Sequence, residues 1–317
     1  MSVAQANRRG MLWSGVSALS YATMNVFLRY VVVIDVDPFF AAFMRTVPVT
    51  LYCWFMVIRP FDLRGRSFGS LVPPRQFWLV LVGIGVIYNV TGNAAFQVSL
   101  TLSGLVLTVP VTHSTMLWSA AFAGLLILRE PITRAVAIGV MLLIASLVFL
   151  TAGVSSSLPE IGPVLIAIAV LTAMSAGASY GVGTAIYRRW VANRLTTEQA
   201  LSIITLTGMI STGAIAFARV GPAEALATPP IAILAMLAAG IANAVALTTI
   251  SKALEYIAVA KANAINATQI ALSALAGILI FAEPVTLLVL VGLALTIAGL
   301  LSIGRQPAGA NADTARK

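Results

Sequence analysis

The chain has 317 residues, of which 60% are hydrophobic and only 9% charged, with a formal net charge of +9. A soluble domain carries about 25% charged residues, so this chain lacks the polar surface to stand in water and reads as an all-α, polytopic membrane protein whose partner is the lipid bilayer. The composition excludes a sizeable soluble domain, and the basic excess maps to one side of the membrane, so no nucleic-acid partner is expected.

Apolar stretches of about 20 residues span a bilayer. Ten are predicted, near 11–34, 39–58, 77–100, 104–128, 132–152, 162–187, 198–218, 231–251, 259–282 and 285–303. Arg8-Arg9 precedes the first stretch without a small-residue cleavage site, which reads as a first transmembrane helix rather than a removed signal. The one cysteine, Cys53, excludes an intramolecular disulfide and reads as a small buried hydrophobe beside Trp54. Gly153–Pro159 is a Ser-rich connector, and the polar tail from Gln306 onward reads as disordered. The expected organisation is a first five-helix unit at 1–152, a second at 153–305 and a tail at 306–317.

Arginine and lysine set the orientation. With the N-terminus inside, Arg8, Arg9, Arg129, Arg134, Arg188, Arg189, Lys252 and Lys261 fall at inner ends, and Arg219 is the only basic residue in an outer loop. Trp13, Trp54, Trp78 and Trp190 lie near inner ends, as an interfacial belt would.

The stretch Gly124–Thr133 (Gly-Leu-Leu-Ile-Leu-Arg-Glu-Pro-Ile-Thr) returns 153 residues later as Gly277–Thr286 (Gly-Ile-Leu-Ile-Phe-Ala-Glu-Pro-Val-Thr). Ser20-Tyr21 followed by Arg29 likewise returns as Ser179-Tyr180 followed by Arg188. Each Glu-Pro suits a helix start, with proline at the first helical position and a carboxylate near the dipole's positive end. A shared cap alone does not require the same small residues one helix earlier, so an internal repeat is the better reading. Five helices per half make the second copy enter from the opposite side, giving inverted repeats such as secondary transporters use.

These features resemble the drug/metabolite transporter superfamily, specifically its EamA-type exporters. They include the paired Gly-x5-Glu-Pro-[Ile/Val]-Thr endings of helices 4 and 9 and the Asp37-Pro38…Ala41-Ala42-Phe43-Met44-Arg45 start of helix 2. By general likeness the chain is most similar to bacterial exporters of aromatic and other neutral amino acids. The resemblance implies a central cavity lined by helices 1, 3, 4, 6, 8 and 9, with 2, 5, 7 and 10 outside. With the N-terminus inside and ten spans, both termini are expected to be cytoplasmic, in a plasma (inner) membrane. Helix 7 departs from the helix-2 pattern in having no arginine.

Polar groups inside a bilayer face a cavity or another helix. The candidate substrate-binding residues are Tyr21 and Asn25 on helix 1, Tyr88, Asn89 and Asn93 on helix 3, and His113 on helix 4. Tyr180 on helix 6, Asn243 on helix 8, and Asn263, Asn266 and Gln269 on helix 9 complete the set. Amides offer donors and acceptors without charge, which suits a zwitterion's amino and carboxylate groups; equally, each amide could only join helices. His113, the one histidine, is the repeat counterpart of Asn266 and reads as structural or as a proton carrier. Pro110, one turn earlier, suits a kink. Arg45 lies about eight residues into helix 2, and the favoured reading is that it snorkels or pairs with Asp35 or Asp37 rather than meeting a substrate carboxylate.

No carboxylate lies near a helix centre, which disfavours cation efflux, and no Lys/Arg cluster lines the cavity helices, which disfavours phosphate or nucleotide cargo. There is no Walker loop, metal-ligand spacing or nucleophile–base pair, so neither an enzyme nor a cofactor is expected. The leading reading is a secondary transporter that exports small neutral or zwitterionic metabolites, with amino acids favoured, working by alternating access. A drug or other-metabolite efflux carrier is the alternative, and a passive channel or an intramembrane lipid enzyme is disfavoured.

Overall fold

The computed structural model describes residues 3–58, 73–157, 161–191, 194–257 and 259–304. The polar tail lies outside the described residues, as do the basic residues of 59–72. Among the described residues all regular structure is helical, and eight helices are long and apolar enough to cross a membrane. Leu287–Ile303 is apolar but shorter.

Helices α1 (Val3–Val33) and α2 (Pro38–Ile58) are followed by a helical run from 75 to 128. That run comprises a 3-10 turn, Arg75–Phe77, an α-helix, Trp78–Val86, a π-helix, Ile87–Ala94, an α-helix, Ala95–Ala123, and a second π-helix, Gly124–Leu128. Gly104, at φ 75° and ψ −171°, breaks it into two arms, α3 (75–103) and α4 (105–128). Then come α5 (Arg134–Ser157), α6 (Gly162–Trp190), α7 (Thr197–Ala227) and α8 (Pro230–Leu254). Val259–Asn266 and Thr268–Phe281 together form α9, and α10 is Leu287–Gly304. The expected connector is shorter than its composition suggests, because Gly153–Ser157 stays helical and Ser156 and Ser157 donate back to the Gly153 carbonyl.

Small residues set the packing. Gly177 and Gly181 bring α6 onto Thr112 and Met116 of α4, and Arg188 meets Glu130 farther along, so α4 and α6 run in the same direction. Tyr88 meets Thr184 while Thr91 meets Ser179, so α3 runs against α6. The two arms are therefore antiparallel. Helix α1 packs in the matching way. Ser17 donates to Ala246 and Trp13 lies under Lys252, antiparallel to α8, while Asn25 meets Ser273 and Arg29 meets Glu283, parallel to α9. Gly139 and Gly299 let α5 and α10 touch backbone to backbone, and Phe40, Phe43 and Phe217 join α2 to α7.

An apolar core of Met24, Leu28, Phe96, Leu100, Leu105, Val109, Ala176, Ala239 and Ile270 ties α1, α3, α4, α6, α8 and α9 together. Large apolar side chains such as Leu12, Leu51, Leu79, Met141, Leu226 and Leu279 face outward, as contact with lipid requires. Burial alone does not sort inner from outer helices. The most apolar window of Lys261–Phe281 is 28% buried and that of α5, expected to be peripheral, is 33%, so it is the contacts that place α9 beside α1 and α4.

Candidate functional site

The repeated motif forms the same device twice. Arg129 (φ 58°) and Ala282 (φ 52°) take the left-handed conformation that ends a helix. The next N–H groups, of Glu130 and Glu283, bond to Gly124 and Gly277 at 3.1 and 3.0 Å. Each glycine makes room for the glutamate: a Cβ on Gly124 would lie 3.3 Å from a Glu130 carboxylate oxygen, and one on Gly277 2.6 Å from a Glu283 oxygen. Thr133 and Thr286 then cap α5 and α10, accepting from Val136 and Val289. The expectation that Glu-Pro itself starts these helices is corrected, since the helices begin three residues past each proline and threonine supplies the cap.

The freed glutamates reach the other half of the chain. Glu283 accepts from the N–H groups of Leu105 (2.9 Å) and Val106 (2.8 Å), capping α4 where it starts after Gly104. Arg29 Nε stands 2.9 Å from the same carboxylate, although its N–H does not point along the contact, and Arg29 also donates to the Leu100 carbonyl at 2.9 Å. Arg188 meets Glu130 at 2.6 Å. These are repeat-equivalent pairs, each linking the first helix of one half to the helix-4 motif of the other. Their side-chain exposure differs: 18% and 6% for Arg29 and Glu283, against 48% and 36% for Arg188 and Glu130. The pair at the start of α4 is largely buried, and the pair at its far end is largely exposed.

The π-helix Ile87–Ala94 presents Tyr88, Asn89 and Asn93 to neighbouring helices. Such wide turns occur often at functional sites. A hydrogen-bond chain runs through it: Tyr180 donates to Asn93 (2.6 Å), Asn93 to Asn89 (2.7 Å), and Asn89 to the Gly85 carbonyl (2.9 Å). Tyr88 and Tyr180 pack edge to face at 5.7 Å. Tyr21, the repeat counterpart of Tyr180, packs with it on the central apolar core. Asn89 is almost fully buried, pressed on Gly208 of α7 and 3.4 Å from Thr46, so it acts as a strut. Asn89→Ala is expected to cost about 1–3 kcal/mol of stability by leaving polar partners unmet, read as earlier thermal exposure of the buried Cys53 thiol.

The other candidates are not hydrogen-bonded into this network. Asn25 donates to Ser273 at 2.9 Å, and its Oδ1 is buried without a partner. The Asn266 Oδ1 is likewise buried and unpartnered. Gln269 is buried on α9, Asn263 is exposed, and Asn243 is half-buried one turn beyond Gly240. Neither Asn243 nor Asn263 joins the α2–α3–α6 cluster by a hydrogen bond. His113 is half-buried, with Nδ1 donating to the Val109 carbonyl at 2.8 Å.

Arg45 overturns its sequence reading. It neither snorkels nor pairs with Asp35 or Asp37: it is 3% exposed, and Asp37 instead caps α2 through Phe39 and Phe40 and pairs with Arg219. Sequence reasoning also missed the trans-capping role of Glu283, for which the nearest signal was the glycine at the spacing of one closed helix end.

The family model described as "EamA-like transporter family" matches twice, over residues 8–152 and 167–305. No curated protein matched the chain. A solved structure described as "Crystal structure of protein" is 18% identical, with a TM-score of 0.58, over 96% of this chain and 99% of its own; it is similar in fold alone. With both matches covering most of their halves, the chain belongs to the EamA-like transporter family, a family of small-molecule transporters rather than enzymes.

Proposed function

We propose that this protein is a secondary transporter that exports small neutral or zwitterionic metabolites, with aromatic amino acids favoured, by alternating access. The carrying observation is the pair of repeat-equivalent ion pairs, Arg29–Glu283 and Arg188–Glu130, one buried and one exposed. A carrier needs two such seals that are never open together. In this reading the chain crosses the membrane ten times, as two inverted five-helix repeats at 1–152 and 153–305, in the plasma (inner) membrane with both termini cytoplasmic. The antiparallel arms at Gly104 support two crossings for 75–128. Helix α4 runs with α6, while its start at Leu105 packs against the end of α9 near Gly277, which supports opposed repeats. The Glu283 seal then faces outward and is shut.

Substrate binds between the halves near Tyr21, Tyr88, Tyr180 and Asn93, with Asn25 and Asn266 offering unmet acceptors to an amino group. A permanently open channel fits poorly with a seal as buried as Arg29–Glu283.

The test is counterflow in liposomes holding purified protein, with labelled amino acids and with or without a pH gradient. Saturable, counterflow-stimulated flux is expected; flux that rises linearly with concentration, or none across the panel from correctly inserted protein, would refute the carrier. Because Asn266 occupies the repeat position of His113, His113→Asn is expected to keep the wild-type pH profile of flux. A flattened profile would make the imidazole a proton carrier instead.

A further inference from the structure

Arg45 is a cation the protein does not neutralise. The guanidinium is buried at 3% exposure, its Nε has no hydrogen-bond partner, and no carboxylate among the described residues stands within ion-pair distance. Its neighbours are the Phe96 ring, 5.9 Å from the guanidinium carbon to the centroid, and the hydroxyl of Tyr180. Arginine keeps its proton in proteins, and a buried, unpaired charge is strongly unfavourable. Packing with an aromatic face and a phenol offsets only part of that cost.

The surroundings hold this cation ready. Tyr180 donates its proton to Asn93, which is held by Asn89, which is anchored on Gly85. The phenol oxygen is thereby left to accept from Arg45. Gly240 lets α8 approach the Arg45 carbonyl closely, so α2 packs tightly against α8 at this level.

Resting on the carrier reading above, we propose that Arg45 is the anion-binding residue of the transport site, and that the cargo is a monocarboxylate, free or zwitterionic, on an apolar or aromatic body. The guanidinium fork matches a carboxylate in shape and charge. One cation balances one negative charge, so a phosphate dianion would leave charge unmet. Phe96, Tyr180, Tyr21 and Met24 supply the apolar wall. Because the one arginine of helix α7, Arg219, is already paired with Asp37, the site has one such cation and takes one carboxylate.

The experiment compares acids with their own amides. Phenylacetate, L-phenylalanine, and then the remaining protein amino acids are each paired with the primary amide of the same carboxyl group. Binding to the purified full-length protein is read by thermal protection of Cys53, and flux by counterflow in liposomes. In the wild type at least one acid is expected to bind roughly tenfold or more tightly than its amide. Arg45→Gln should collapse that ratio toward one, and Arg45→Lys should restore part of it. Equal binding of every acid and its amide by the wild type, a comparison that needs no variant to fold, would overturn the proposal. A folded Arg45→Gln protein that keeps the wild-type ratio would also overturn it and make Arg45 a structural pin. Discrimination in binding without saturable flux would refute the carrier and leave the anion site standing; saturable flux without discrimination would do the reverse.

Discussion

Glu283→Ala is expected to destabilise the protein far more than Glu130→Ala, although the two glutamates occupy the same place in the repeat. Glu283 is buried, accepts two backbone N–H groups of α4 and faces Arg29. Its removal leaves a partly buried guanidinium without its counter-charge and two helix-start donors without an acceptor, a loss of about 3–5 kcal/mol by the usual cost of breaking a buried pair. Arg188 and Glu130 are about half and a third exposed, and an exposed pair contributes about 0–1 kcal/mol. The check is thermal unfolding of both variants, read through Cys53. Equal losses would mean that the two seals do not differ in burial as described. The same pair should separate in function: Glu283→Gln keeps the shape and loses the charge, so flux falls while folded protein persists.

Gly104→Ala carries the second large effect. Gly104 sits at φ 75° and ψ −171°, a region open essentially to glycine, where a side chain costs about 1–3 kcal/mol. A Cβ there would also strike the Glu283 carboxylate, within contact distance of all three carboxyl heavy atoms. Displacing that carboxylate adds the loss of the seal, another ~3–5 kcal/mol. Gly221 is the internal control. It has nearly the same backbone, φ 77° and ψ 158°, but nothing within 4 Å of its would-be Cβ. Gly221→Ala should therefore show the backbone strain alone. Thermal unfolding of the two variants side by side separates strain from seal; equal losses would remove Glu283 from the account of Gly104.

What the sequence made legible follows from periodicity and charge. Runs of apolar residues announce helices because no other backbone satisfies its hydrogen bonds in lipid. The Gly124/Gly277 motif was visible as a repeat, and its two copies share the same left-handed helix end at Arg129 and Ala282. What the glutamates do there was not visible. A carboxylate that folds back over one glycine to cap a helix of the other half depends on contacts 177 and 178 residues away, and local cap rules describe only nearest neighbours. The break at Gly104 was visible only as a gap between two apolar runs, whereas the π-helix at Ile87–Ala94 leaves hydropathy unchanged and gave no signal.

Arg45 illustrates the same limit in the opposite direction. An arginine near a helix end is normally expected to reach water, and Asp35 and Asp37 stood close in sequence. The fold spends Asp37 on α2 and Arg219, and buries Arg45 beside Phe96 and Tyr180. Of the amide candidates, Asn89 and Asn93 fall in one hydrogen-bonded chain, while Asn243 and Asn263 lie outside it. Composition identifies polar residues in a bilayer; only packing tells which of them share a face.

The central claim is that two repeat-related seals alternate, and spin-label distances across both ends test it most directly. In a Cys53→Ala background, labels at exposed Val33 and Val285 report the Glu283 end, and labels at exposed Ile132 and Trp190 report the Glu130 end. Measured in lipid with and without a transported amino acid, the two distances are expected to change in opposite senses, the Val33–Val285 distance lengthening as the Ile132–Trp190 distance shortens. Two distances that stay fixed, or that lengthen together, would contradict alternating access through these seals.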